Sequence, residues 1–327
     1  MIKTGYNEGK RQEMSCMSIL TTWLESLAYD VEISSACLRS QSPKSNCAEC
    51  LPYCPENAIS FSKQGAERDS SLCTNCGHCV PVCPVQAITG RSPERKIVNE
   101  TLLIEDSPFP SVKELLYFYK RGVRNVNCDS TASPDIHILK EADSLLTAMG
   151  YEPFTIVDSI PVYNEEPTFT RRSFFIKAAF EGKKIAAATI TPAKWRFNQN
   201  QFEITSMFPG YAVYEVIIDQ EQCNLCEACF KMCPQQVFSL KEGLLSVNSG
   251  SCNGCSLCVD ICGKDAIKIV QRAYPSQPME LAVERLTCPD CNTPFHTWKN
   301  PNVSSPGPLC NICDTRSKNG YFSPYSV

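Results

Sequence analysis

The chain has 327 residues, 22 of them cysteine, and a formal net charge of −4 at pH 7. That length suits two or three domains, more where small folds are stapled by metal, and the mild charge gives no reason to expect a nucleic-acid or anionic-membrane partner. Outside a cell so much cysteine would suggest disulfides. In-register C-x2-C runs followed by proline, with no secretory segment, argue instead for metal in a reducing compartment and predict a cytoplasmic protein.

Residues 1–16 are polar, and Ile19, Leu20, Trp23, Leu24, Leu27 and Ala28 then recur at helical spacing. This predicts an amphipathic helix within an N-terminal segment, 1–30, that covers the next domain or docks on a partner. It is too polar for a signal peptide and too short to span a bilayer. A mid-chain Thr170-Arg171-Arg172-Ser173-Phe174-Phe175 mimics an export signal but lies in the wrong place for one.

Residues 31–97 hold Cys73-x2-Cys76-x2-Cys79-x3-Cys83-Pro84, a full cluster motif, and Cys47-x2-Cys50-x3-Cys54-Pro55, the last three quarters of another. Closely spaced thiolates reach three irons of one [4Fe-4S] cube, while the fourth cysteine points to the neighbouring cluster. The crossing rule assigns Cys37, Cys47, Cys50 and Cys83 to one cluster and Cys73, Cys76, Cys79 and Cys54 to the other. Lys44 occupies the position where the first motif lacks a cysteine, and Cys37 is the substitute, across nine intervening residues that read as a surface loop.

Residues 98–215 contain a single cysteine, Cys128. Leu102-Leu103-Ile104 reads as a strand, Val112 to Arg121 as a helix stopped by Gly122, and Ile138 to Met149 as a helix capped by Ser133, entered through Pro134 and ended by Gly150. Strands near Asn125–Asn127 and Phe154–Val157 complete a βαβαβ pattern, predicting a small parallel α/β unit. No Gly-x-Gly-x-x-Gly follows either strand. Beyond Pro161, prolines interrupt short apolar runs; Arg171 to Phe180 suits a short helix and Lys184 to Ile190 a buried strand.

Residues 216–272 repeat the cysteine plan in full: Cys223-x2-Cys226-x2-Cys229-x3-Cys233-Pro234, then Cys252-x2-Cys255-x2-Cys258-x3-Cys262. Nineteen positions separate Cys54 from Cys73 and nineteen separate Cys233 from Cys252. The tails rhyme as well: Pro55-Glu56-Asn57-Ala58-Ile59, Pro84-Val85-Gln86-Ala87-Ile88 and Gly263-Lys264-Asp265-Ala266-Ile267. Crossing assigns Cys223, Cys226, Cys229 and Cys262 to one cluster, and Cys252, Cys255, Cys258 and Cys233 to the other.

Residues 284–320 carry Cys288-x2-Cys291, eighteen residues, then Cys310-x2-Cys313. The spacing predicts a zinc ribbon in which two hairpin knuckles supply a closed tetrahedron, structural and separable from electron transfer, with mononuclear iron as the other metal such thiolates suit. Cys16 and Cys128 are left over, and the three histidines are weak candidates: His78 lies inside a cluster loop, where it can influence potential, while His137 and His296 have no necessary role.

These cysteine runs resemble bacterial-type two-cluster ferredoxin domains, and two of them in one chain resemble the polyferredoxin electron-transfer subunits of anaerobic oxidoreductase complexes. The sequence departs from that pattern in the long gap after Cys37 and in Gly263, where the family usually has proline. The element order of the middle segment is similar to the delta-type iron–sulfur subunit of hydrogenase and heterodisulfide reductase complexes, of whose cysteines only Cys128 remains. The expectation is an α+β protein in which two dicluster domains flank a small α/β domain, with a C-terminal zinc ribbon. It would hold four [4Fe-4S] clusters and one zinc, and carry electrons between a donor and an acceptor on other subunits. Two other readings draw on the same features: a redox enzyme subunit with a flavin or thiol site beside Cys128, and a redox-sensing regulator that binds DNA through the ribbon.

Overall fold

The computed structural model describes residues 30–104, 108–128, 135–157, 202–241, 243–298 and 308–320. The expected N-terminal helix, Cys16, and the segments expected at Arg171–Phe180 and Lys184–Ile190 lie outside the described residues.

The first cysteine-rich unit is built on two short antiparallel pairs. β1 (Glu32–Ile33) pairs with β4 (Ile88–Thr89), and the hairpin β2 (Ile59–Ser62) and β3 (Gly65–Arg68) turns through Lys63 and Gln64. Two single helical turns, α1 (Leu38–Gln41) and α2 (Cys79–Val82), carry cysteines at their starts. Val31, Ile59, Val80, Val82 and Ile88 form a core shared with Cys50 and Cys79, so the thiols belong to the packing of this small unit.

Next come β5 (Lys96–Val98), β6 (Thr101–Ile104), α3 (Val112–Lys120), β7 (Asn125–Cys128), α4 (Ile136–Ala148) and β8 (Thr155–Ile156). β6, β7 and β8 are parallel neighbours, as the βαβαβ pattern predicts. β5 adds an antiparallel edge strand that the pattern does not show, because its turn uses Asn99 and Glu100 at positive φ (48° and 63°) without a glycine. The Ser111 hydroxyl caps α3 by accepting from the Glu114 backbone N–H at 3.2 Å. For α4, residues 129–134 are not described, and Asp135 stands at the cap position without a side-chain capping hydrogen bond.

Leu115, Leu116, Tyr117, Phe118 and Tyr119 are all buried, so α3 is enclosed on every side. It is pinned by a buried ion pair: Arg95 Nε and Nη2 reach the two Glu114 carboxylate oxygens at 2.7 and 3.1 Å, and Arg95 Nη1 donates to the Pro108 carbonyl at 2.9 Å. This core continues into Phe202, into α5 (Ile204–Met207) and Phe208, and into Val213 and Ala273 of the second cysteine-rich unit.

That second unit repeats the first at larger scale. β9 (Tyr211–Ile218) pairs with β12 (Ile267–Pro275), and β10 (Phe238–Lys241) forms a hairpin with β11 (Leu244–Val247). Short helices α6 (Ala228–Met232) and α7 (Leu257–Ile261) follow the two C-x2-C runs. β13 (Met279–Thr287) pairs with β11 on one side and with β14 (Pro294–Trp298) on the other, giving the order β10-β11-β13-β14. The C-terminal hairpin is thus an extension of the second unit's own sheet, a continuity that cysteine spacing does not report. The chain's last described helix is α8 (Asn311–Lys318). Among the described residues, no helix is long and apolar enough to cross a membrane.

Candidate metal centres

Each full motif folds for local reasons. Residues at positive φ flank the second cysteine of the three complete motifs: Asn75 and Gly77, Leu225 and Glu227, Gly254 and Ser256. These left-handed residues curl the chain so that backbone N–H groups turn inward; those of Leu225, Gly254 and Leu257 donate to Cys223, Cys252 and Cys255, two residues before each, and in the incomplete motif the Glu49 N–H donates to Cys47 without a left-handed residue beside it. Gly254 is required for a second reason: a Cβ there would lie 2.4 Å from the Tyr214 ring. The short helices then end at Cys83, Cys233 and Cys262, whose extended backbones (ψ 116°, 114° and 104°) break the helical ladder. Pro84 and Pro234 impose that conformation on the residue before them, and Cys262 adopts it in front of Gly263 as well.

Three residues beyond the last cysteine of every motif, Asn57, Gln86, Gln236 and Asp265 also take positive φ. In three cases the turn aims the next N–H at that cysteine: Ala58 N to Cys54 Sγ at 3.2 Å, Ala87 N to Cys83 Sγ at 3.2 Å, and Ala266 N to Cys262 Sγ at 3.4 Å. This is the structural content of the rhyming tails.

The structure brings the sixteen cysteines together in four groups. Cys47 and Cys50 are neighbours of Cys83 and of Cys37, and each of these raises the pKa of both. Cys37 reaches the group as the cap of α1, and Arg39 of that helix donates to the Cys47 carbonyl at 2.5 Å while its guanidinium lies 3.9 Å over the Phe61 ring. Cys54, Cys73, Cys76 and Cys79 line one hollow, with Val31, Ala58 and Ile59. Cys229 is surrounded by Cys223, Cys226 and Cys262. Cys233, Cys252, Cys255 and Cys258 line a second hollow whose other walls include Val216, Val237, Phe238, Leu257 and Ile269. The groups are adjacent in pairs: Cys79 has Cys50 for a neighbour, and Cys258 has Cys229.

Burial pushes the thiols of Cys50, Cys79 and Cys229 up to about 12 and that of Cys252 up to about 11, and adjacent sulfurs add to the rise. Four sulfurs so enclosed ionise together only around a strong positive centre, and quartets of soft thiolates receiving N–H bonds are the donor set that suits iron–sulfur clusters. The residues present fit the group.

The C-terminal quartet is different. The sulfurs of Cys288, Cys291, Cys310 and Cys313 all lie within 4.8 Å of one another, with Cys291 Sγ 3.7 Å from Cys310 Sγ. Cys288 and Cys291 sit on the knuckle between β13 and β14, as a ribbon requires. In place of the expected second knuckle, Cys310 is the cap residue of α8 and Cys313 lies in its first turn. Lys318 pairs with Asp314 at 2.8 Å one turn apart on this helix, an exposed i,i+4 pair that adds a few tenths of a kcal/mol to it, and Thr315 Oγ1 donates to the Asn311 carbonyl at 2.8 Å. Hydrogen bonds from Thr293 draw the Cys291 thiol down to about 6. A four-thiol tetrahedron of this kind suits zinc or mononuclear iron.

This quartet touches the cluster loop beside it. Trp298 Nε1 donates to the Cys223 carbonyl at 2.6 Å, His296 Nδ1 lies 3.3 Å from a Glu227 carboxylate oxygen, and the Asn224 amide meets Asn311. Sequence reasoning gave His296 no role. His78 is half-buried, its pKa lowered by burial, and its Nδ1 has no hydrogen-bond partner among the described residues. Cys128 is 5% exposed and packs in the central core with Leu102 and Val126, a position that suits a packed thiol.

Residues 45–96 and residues 215–263 each match a 4Fe-4S dicluster domain family. Pyruvate synthase subunit PorD of Thermotoga maritima is 33% identical over 61 residues, which is 18% of this chain and 62% of that protein, under two thirds of its length. A ferredoxin of Methanothermococcus thermolithotrophicus is 33% identical over 57 residues, 16% of this chain and 95% of the ferredoxin. Pyruvate synthase subunit PorD of Methanocaldococcus jannaschii is 31% identical over 62 residues, 19% of this chain and 72% of that protein.

Proposed function

The chain belongs to the family of 4Fe-4S dicluster ferredoxins, whose domain it carries twice, and from that premise we propose that this iron–sulfur electron-transfer protein holds four [4Fe-4S] clusters in one row. In order along the row, the ligand sets are Cys54, Cys73, Cys76 and Cys79; Cys37, Cys47, Cys50 and Cys83; Cys233, Cys252, Cys255 and Cys258; and Cys223, Cys226, Cys229 and Cys262. The observation that carries the proposal is the meeting of sixteen thiols in four separate quartets, each crossed between the two halves of its domain.

A bound [4Fe-4S] cluster accepts or gives up one electron. The chain's own residues fix the terms: the Ala58, Ala87 and Ala266 N–H groups bond ligand sulfurs, and Val216, Val237, Phe238 and Leu257 exclude water from one hollow. Cys226 is exposed, which supports approach of a partner's redox centre to the Cys223, Cys226, Cys229 and Cys262 quartet.

The likeness to pyruvate synthase subunits supports assembly with the catalytic subunits of an oxidoreductase, in the cytoplasm, as their electron-transfer component. The C-terminal quartet takes one zinc and acts structurally, with mononuclear iron as its alternative occupant. Anaerobically purified chain should contain about sixteen irons and about one zinc. About eight irons would mean that one domain is vestigial, and a seventeenth iron with no zinc would make the last quartet a redox site.

A further inference from the structure

The two ferredoxin domains meet through the residues next to their cluster cysteines. Asn253, beside Cys252, donates from Nδ2 to the carbonyl oxygen of Pro84, beside Cys83, at 2.7 Å in a buried contact. Asn46, beside Cys47, donates from its backbone N and from Nδ2 to the two carboxylate oxygens of Asp260 at 2.8 and 3.0 Å, and Asp260 lies between Cys258 and Cys262. The first bridge joins the quartet of Cys37, Cys47, Cys50 and Cys83 to that of Cys233, Cys252, Cys255 and Cys258, and the second joins the former to α7, the helix that carries Cys258. These two quartets are the middle members of the row.

Lys113 lies at that seam. It lines a cavity of about 120 Å³ together with Cys83, Pro84, Gln235 and Asn253. Its charge acts on Cys83 and Cys47 of the first domain and on Cys255 and Cys252 of the second. Among the described residues no carboxylate comes within ion-pair distance of it. A cation in the first turn of a helix opposes the helix dipole, so the start of α3 is an unfavourable place for a lysine unless something beyond the helix holds it. Two anionic cluster sites, one on each side, do so.

We propose that Lys113 is a positioning residue shared by the two middle cluster sites, one from each domain, and that its ammonium raises the reduction potentials of both. A positive charge in a low-dielectric seam stabilises whichever state carries more negative charge, which for each site is the reduced one. Exposure to the same charge draws the potentials of the two middle sites upward together where the domains join. This inference rests on the four-cluster reading.

The test is a potentiometric titration of the whole, anaerobically reconstituted chain followed by EPR, comparing wild type with Lys113→Met, Lys113→Arg and the control Lys268→Met on the exposed face of β12. Iron content is measured first, because wild type with about eight irons would sink the four-cluster reading itself. With sixteen present, Lys113→Met should shift two of the four midpoint potentials downward and leave two in place, Lys113→Arg should restore them, and Lys268→Met should move none. Unchanged potentials, a shift of one site only, or an equal shift of all four would overturn the proposal while leaving the reading intact. If Lys113→Met loses iron, Lys113→Gln and Lys113→Arg decide, since a role confined to packing would move Lys113→Arg as far as Lys113→Gln.

Discussion

Trp298 of the C-terminal hairpin donates its indole N–H to the backbone carbonyl of Cys223, the first cysteine of a cluster loop, at 2.6 Å. The sheet that carries Trp298 is the same sheet that carries the hairpin of the second ferredoxin domain. The C-terminal cysteine quartet and the Cys223 loop therefore rest on one platform.

Disturbing that quartet should consequently be felt next door. Small metal-stapled units draw much of their folding free energy from the metal. We expect Cys310→Ala to release the metal and to raise amide hydrogen exchange in residues 222–230 as well as in 288–298, with residues 45–83 unaffected. Trp298→Phe, which keeps the ring and loses the donor, should cost about 1 kcal/mol and loosen the same loop. Exchange confined to residues beyond 288 would show that the hydrogen bond transmits nothing.

The Arg95–Glu114 pair offers a second test, because both side chains are buried, 8% and 1% exposed. Removing one partner leaves an uncompensated charge in the core of the central unit, at a cost of about 3–5 kcal/mol. Arg95→Met should therefore lower the denaturation midpoint sharply, while Arg91→Met, which breaks the exposed pair with Glu94, should change it by less than about 1 kcal/mol.

Two glycines should respond in opposite ways. Gly254 has φ +75° and no room before the Tyr214 ring, so Gly254→Ala carries about 1–2 kcal/mol of backbone strain in addition to the clash, and the variant should bind about four fewer irons. A Cβ on Gly263 meets nothing within 4 Å. Gly263→Ala should be neutral or stabilising by up to about 1 kcal/mol, through loss of chain entropy in the unfolded state. Iron assay and thermal melts separate the two.

What the sequence revealed follows from where each signal is stored. The grouping of the cysteines is legible because thiolate geometry is local and spacing encodes it, and Cys37 lies beside Cys47 and Cys50 because a nine-residue loop easily spans the gap. The parallel strands and α3 were legible from apolar runs and from Gly122 at the helix end, while the Ser111 cap was not read from the sequence. The turn residues Asn57, Gln86, Gln236 and Asp265 are visible only as a repeat, because none is glycine. The helix holding Cys310 and Cys313 was missed because metal spacing is indifferent to whether the second pair rides a knuckle or a helix; the Asp314 and Lys318 spacing was the available signal. Lys113 was missed for a deeper reason. Its meaning comes from Cys83 and Cys255, which chain order places far apart and the fold brings to one seam. A lysine at the wrong end of a helix was the clue.

We propose Cys37 as the irregular ligand, so Cys37→Ala should remove or convert the cluster proposed to use Cys47, Cys50 and Cys83 as well. The loss should be about one to four irons, with the other three clusters retained. Unchanged iron content and an unchanged EPR spectrum would exclude Cys37 from the ligand set.

The central claim is that this one chain carries four one-electron centres, and counting electrons tests it most directly. Anaerobic coulometric reduction of the intact protein should take up about four electrons per chain, two from each ferredoxin domain. An uptake of about two electrons by fully iron-loaded chain would contradict the account.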